Sequence, residues 1–348
     1  MAAPEQSRDE IFASFADNMQ LVLTKLKDNE DSRQMADSFN LTEFWIKMET
    51  VFKAMSFEAT KLAACFTSPP PPSSQECQSL LSCVEMKVIT LVSFYYSLPK
   101  ECGLALRKHT RNLVIDLIEG IKELSLRIKS ANYQGSEEQL QSTGAVWASC
   151  DTIQTAAKNN KEATLKELKA VGGLVKDAVE ELNEAKNSDG SSAGGLDELE
   201  FLLSGGQQPT DHEDDAVWSD QDRAVIHPCL GLANACKACV KKVSEAIKKN
   251  GKHEEMVDIS QLDHIYELSE EISPNLDELV SCLYAPMRYA VVRANASLVS
   301  EVLHKVLGAS RESHFVRDED SQWLDFLEKA VDHNVDQIKN ITKSGAQR

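Results

Sequence analysis

The chain has 348 residues, 42% of them apolar, and carries 55 acidic against 37 basic side chains, a net charge of −18. That much apolar material supports a buried core, and the length suits two domains better than one. An acidic balance argues against non-specific nucleic-acid or anionic-membrane binding, which needs a basic surface to displace counterions. The surplus is local: ten acids and no Lys or Arg lie between Asn187 and Asp222, while residues 1–186 and 223–348 are near balance at −5 and −3.

Helical periodicity runs through almost the whole chain. A first helix is predicted near 8–28. From Leu41, the apolar residues Phe44, Trp45, Met48, Phe52, Met55, Ala59, Leu62 and Phe66 trace one buried stripe. Asp37 or Ser38 is placed to cap this helix, and the prolines at 69–72 end it. A rod of about 40 Å suits a long-helix bundle.

Further helices are predicted near 73–97, 102–130, 138–156 and 160–186, then near 219–250, 259–272, 274–284, 286–310 and 319–343. Pro228 falls inside the 219–250 pattern, which predicts a kink or a break there. Gly251 is a C-cap candidate, Ser273-Pro274 a stop and restart, and Pro286 a first-turn proline. No period-two stretch predicts a sheet.

The fold class is therefore all-α: two long-helix up-and-down bundles joined by an acidic disordered linker. The N-terminal helical bundle is assigned to 1–186, the flexible linker to 187–217 and the C-terminal helical bundle to 218–348.

The opening MAAPEQSRDE lacks the basic and apolar regions of a secretory signal. No run approaches the roughly 20 apolar residues of a membrane span. Nine cysteines, an odd number spread along the chain, read as reduced thiols. The expectation is a soluble intracellular protein without a membrane partner.

Chemical signatures are few. The chain contains no phosphate-binding loop, no GxSxG and no HExxH, and its histidines form no tight group with carboxylates. Neither catalytic, cofactor-binding nor metal residues are assigned, and the protein is read as a non-enzyme. Cys236 and Cys239 form a CxxC, but within a helical pattern whose apolar arc also holds Leu232, Val240, Val243 and Ile247. They read as small core residues rather than a redox or zinc pair.

On the opposite side, Lys237, Lys241, Lys248 and Lys252 fall within about 60° of one another. They form either a solvated face or a docking strip for acidic partners, the linker being the nearest. Leu81, Cys83 and Glu85 match the LxCxE pattern of retinoblastoma-pocket ligands. That motif binds extended, whereas here it lies in a helical stretch, so it reads as a chance match.

Within the linker, Leu196, Leu199, Phe201, Leu202 and Leu203 outline a short acidic amphipathic helix suited to docking in a groove. Ser219, followed by Asp220 and Asp222, is both an acid-directed phosphorylation candidate and the cap of the next helix.

A set of scaffold residues carries a resemblance. In the first half these are Ser97-Leu98-Pro99-Lys100, Leu106-Arg107-Lys108 and Val146-Trp147. In the second half they are Trp218-Ser219, Pro228-Cys229-Leu230, Lys237-Ala238-Cys239, Glu270-Glu271-Ile272-Ser273-Pro274 and Val291-Val292-Arg293. Their order over most of the chain resembles the cyclin-D-binding protein family, also called GCIP or Maid-like proteins.

The resemblance implies an all-helical nuclear and cytoplasmic protein that binds D-type cyclins and restrains cell-cycle progression. It further implies sequestration of helix-loop-helix transcription regulators, an adaptor partner of the Grb2 type, and no cofactor. Direct DNA binding is not expected, because the helix ending at Lys186 mixes Glu162, Glu167 and Asp177 among its lysines. The alternative reading is a helical-bundle scaffold of cytoskeletal or adhesion assemblies, by analogy with vinculin and talin.

Overall fold

The structure, a computed structural model, describes residues 7–28, 39–191 and 218–344. Among these residues the regular structure is helical, with no strand. In chain order the helices are α1 (Arg8–Asp28), α2 (Leu41–Cys65), α3 (Ser74–Tyr96), α4 (Leu104–Ser130), α5 (Glu137–Asp151) and α6 (Asn160–Ser191). They continue with α7 (Asp220–Asn250), α8 (Met256–Glu270), α9 (Ile272–Ser281), α10 (Tyr289–Arg311) and α11 (Ser321–Ser344). Most of the linker predicted over 187–217 lies outside the described residues.

The chain divides into two compact units, residues 1–163 and 164–348. In the first, α1 and α5 pack on α4, while α3 and α5 pack on α2. Phe12, Met19, Met48, Phe52, Leu91, Leu117 and Leu124 meet in its core.

The cap of α2 differs from expectation. Asp37 and Ser38 lie outside the described residues, and Asn40 does the capping: its Oδ1 accepts from Glu43 N at 3.0 Å. Phe39, one residue before the cap, meets Phe44 at 6.0 Å between ring centroids. This apolar clasp fixes the chain's entry into the helix.

Charge is sparse on α3, and an 18-residue window of it reaches a mean hydropathy of 1.3, apolar enough by length and composition for a membrane span. It is the one such helix among the described residues, and the window still holds Glu85 and Lys87, so it is not an unbroken apolar run. Its Leu81, Val84, Val88, Leu91 side is buried in the unit.

The start of α4 depends on a distant residue. Gly103 stands at φ +104°, and a Cβ there would lie 2.1 Å from the Asn160 side chain. Glycine is thus required twice, by conformation and by space. Asn160, 1% exposed, uses its Oδ1 to accept from Leu106 N at 3.0 Å. It supplies the N-terminal cap that Gly103 has no side chain to give. Nearby, the buried Arg107 guanidinium donates to Leu98 O and stacks 5.6 Å from the Tyr95 ring.

Packing groups the helices of the second unit differently from the predicted domain bounds. The predicted N-terminal bundle included the helix up to 186, but α6 sends Leu168, Val171, Val175, Val179 and Leu182 into the core of the second unit. There they join Leu232, Val243, Ile265, Leu303 and Leu324 from α7, α8, α10 and α11. The physical reason is the stripe itself: each large apolar side chain buried contributes roughly 1.5–3 kcal/mol, and these residues find their partners after the acidic segment, not before it.

Helix ends shift by a few residues elsewhere. Ser273-Pro274 sits in the first turn of α9, where a missing N–H costs nothing. Pro286 precedes α10 rather than opening it. Gly251 ends α7, its N–H bonding Ile247 O at 2.8 Å. The helix passes Pro228, which is buried, without a break.

This division predicts how the chain tolerates cutting. A fragment ending at 186 exposes the α6 stripe and is expected to self-associate, whereas a fragment ending at 163 should sediment as a monomer and melt cooperatively. A monomeric 1–186 fragment beside a fully stable 187–348 fragment, measured by sedimentation and thermal melting, would contradict the assignment of α6.

Candidate protein-docking surfaces

The exposed faces left by these bundles differ in chemistry. On α2, helical geometry places Ile46, Lys53, Phe57 and Ala64 within about 40° of one another, on the side away from the core. Phe57 is 67% exposed.

Antiparallel to α2 runs α5. Gln139 Nε2 donates to Ala63 O at 2.8 Å near one end, and Trp147 Nε1 donates to Thr60 Oγ1 at 2.8 Å further along. This last bond holds an indole that is 44% exposed against the flank of α2. Leu140, 64% exposed, lies two turns earlier on the same face of α5, and the space over Gly144 is open. Together they make an apolar strip with a fixed aromatic at its centre, the composition of an interaction hot spot. Sequence periodicity does not reveal it. Val146 is fully buried while Trp147 beside it is exposed, and the sequence presents the pair only as part of the family pattern.

The sequence-selected residues fall elsewhere. Lys237, Lys241 and Lys248 are exposed along α7, and Lys252 is exposed just beyond its end. Lys252 N donates to His314 Nε2 at 2.9 Å. The candidate docking residues Leu196, Leu199, Phe201, Leu202 and Leu203 lie outside the described residues. Leu81 of the LxCxE match is 2% exposed within α3, and Glu85 accepts from Asn18 Nδ2 at 2.9 Å. Binding in extended form requires this helix to leave the core.

Cys236 and Cys239 are core residues, as their arc predicts. Burial raises both thiols well above the ordinary range, Cys239 to about 12, so neither is a thiolate near neutrality. Among the described residues, no group of three His, Cys, Asp or Glu is arranged to hold a metal ion.

Ser219 forms the predicted cap. Its Oγ accepts from Asp222 N at 3.1 Å and donates to Asp222 Oδ2 at 2.7 Å, while Ser219 N donates to the same carboxylate at 2.9 Å. The other carboxylate oxygen accepts from Tyr289 OH at 2.9 Å. Burial first, and this bond second, raise the Tyr289 phenol. Next to the cap, Trp218 Nε1 donates to Leu283 O at 2.9 Å. The start of α7 is thereby tied to the loop before α10 and to the first residue of α10. A phosphate on Ser219 would lose the hydroxyl donor and set like charge against the buried Asp222.

Two measurements follow from this geometry. Ser219→Ala should lower stability by about 1 kcal/mol in urea unfolding and speed amide exchange in the first turn of α7; an unchanged midpoint would show that the cap contributes nothing. Thiol labelling of the native chain should reach the half-buried Cys65 and Cys83 first. Labelling of Cys236 and Cys239 should proceed only as fast as unfolding, and a rapid reaction there would contradict their burial.

Comparison with known proteins agrees across both units. Residues 47–188 match the family model described as Grap2 and cyclin-D-interacting, N-terminal, and residues 197–308 match its C-terminal counterpart. The first of these boundaries falls within α6, whereas packing places most of that helix in the second unit. The chain is 40% identical over 331 residues to a cyclin-D1-binding protein 1 homolog of Xenopus laevis, covering 95% of this chain and 98% of that protein. It is 36% identical over 321 residues to the Danio rerio homolog, covering 92% of each. It is also 32% identical over 339 residues to human cyclin-D1-binding protein 1, covering 94% of this chain and 92% of that protein.

Proposed function

The chain belongs to the Grap2 and cyclin-D-interacting family, and on that premise we propose that it is a non-enzymatic regulator that binds D-type cyclins and restrains cell-cycle progression. Helix-loop-helix transcription regulators and an adaptor of the Grb2 type are its proposed further partners. Its proposed place is both nucleus and cytoplasm, and it acts on transcription by sequestration, without reading DNA. Ser219 is the proposed phosphorylation site.

The observation that supports a binding role is the exposed indole of Trp147, locked by Thr60 beside Phe57 and Leu140. A large aromatic left half in water with its polar atom already satisfied gains most by being covered with a protein surface. The near balance of charge outside the acidic segment suits apolar contacts of this kind.

A second reading, a cytoskeletal or adhesion scaffold, is favoured by helix length alone: α4 has 27 residues and α7 has 31. Calorimetric titration of the purified chain with a purified D-type cyclin separates the two. Binding at about micromolar strength is the expected result. Absence of heat at tens of times that concentration, together with co-sedimentation on actin filaments, would favour the scaffold instead.

A further inference from the structure

Charge around the Trp147 strip is distributed against the trend of the chain. The whole sequence carries −18, yet between residues 46 and 64 both acids of α2 are partly buried, while Lys53 and Lys61 are exposed, as is Lys47, which pairs with Glu43 at 2.6 Å. The two acids in that stretch are turned aside. Glu49 pairs with Lys158 at 3.1 Å, and the side chain of Glu58, 15% exposed, approaches Lys61 at 3.8 Å. On α5, from residue 140 to residue 148, every exposed residue is uncharged, and Asp151 is the first exposed acid beyond.

The result is an apolar strip of Phe57, Trp147 and Leu140, flanked on the α2 side by Lys53 and Lys61 one helical turn to either side of Phe57. Small residues lie between the large ones: Ala64 is exposed on α2, and Gly144 has open space above it on α5. Exposed apolar residues on two packed helices, with small residues among them, suit an amphipathic helix that presents apolar side chains at i, i+3 or i+4, and i+7. The charge of this face selects which helix.

Resting on the cyclin-binding reading above, we infer that the α2–α5 face is the cyclin-binding surface and that its occupant is an amphipathic helix of the cyclin with acidic flanks. The apolar ridge of that helix lies over Trp147 and Phe57, and its acids face Lys53 and Lys61. Flanking pairs of this kind act on encounter rate and salt dependence, and the aromatic contacts act on residence time. With its exposed lysines and no exposed acid on α2 between residues 46 and 64, this face attracts an acidic partner segment, the exposed Glu137 and Glu138 lying at the far end of the strip.

The test uses the full chain and a purified D-type cyclin. Two double variants are compared with the unaltered protein: Phe57→Ala with Leu140→Ala, and Lys53→Glu with Lys61→Glu. All four residues are exposed, so melting temperatures should not move. Trp147→Phe is added as a third variant that keeps an aromatic ring but loses the bond to Thr60.

The apolar pair is expected to weaken binding at least about tenfold. The charge reversal should weaken it and abolish the loss of affinity with rising salt. Amide exchange in the complex should slow on α2 and α5, and on a helical segment of the cyclin with acidic flanks. Full affinity in both double variants, with the unaltered chain binding, overturns the assignment of this face. Protection on a non-helical or basic cyclin segment overturns the occupant. Failure of the unaltered chain to bind overturns the cyclin reading itself, and this assignment with it.

Discussion

A helix satisfies its own backbone hydrogen bonds, so what fixes its place in a protein is the apolar stripe it must hide. That constraint governs this molecule throughout. The stripe of α6, from Leu168 to Leu182, draws the helix into the second unit although the acidic segment lies between it and its partners in sequence. The stripe of α3 occupies one side only and leaves the other with so little charge that an 18-residue window of the helix reaches a membrane-like hydropathy. Every outward face is what remains once the stripes are buried, and function has to be sought there.

If stripes set the packing, polar contacts at the helix ends set the register. Arg107 holds the carbonyl of Leu98, Asn160 caps α4, and Ser219 with Asp222 ties α7 to Tyr289. Several of the motifs that carry the family resemblance fall on these joints: the segment around Leu98, the Arg107 triplet and the Trp218-Ser219 pair. Such residues have no catalytic rationale, yet each satisfies a backbone group or an ion that would otherwise be buried without a partner. A family can be legible in its joints without disclosing what its surfaces bind.

The helices themselves were legible because period 3.6 needs only local information, as the run from Phe44 to Phe66 illustrates. The capping serine at 219 was legible for the same reason, its partner Asp222 being three residues away. What depended on distant neighbours was not. A stripe announces that it needs a partner but does not name one, so α6 read as the last helix of the first bundle. Nothing local to Asn160 signals that it caps α4 from 54 positions away. Trp147 enters the sequence only as part of the family pattern, and its exposure beside Thr60 of another helix depends on how α5 packs on α2. The local cap at Asn40 could have been found, since its Glu43 partner and the Phe39–Phe44 pair are adjacent in sequence.

The fit of Asn160 against Gly103 has a bearing on how the protein is made. Synthesis delivers the chain from the N-terminus at about 5–20 residues per second, and domains fold as units while it emerges. The first unit has all five of its helices once Asp151 is out, but α4 still lacks the side chain that closes its leading turn. That side chain opens α6, whose apolar stripe then has to wait for helices on the far side of the acidic segment. The residue that completes the first unit is therefore also the first of a helix whose apolar stripe belongs to the second.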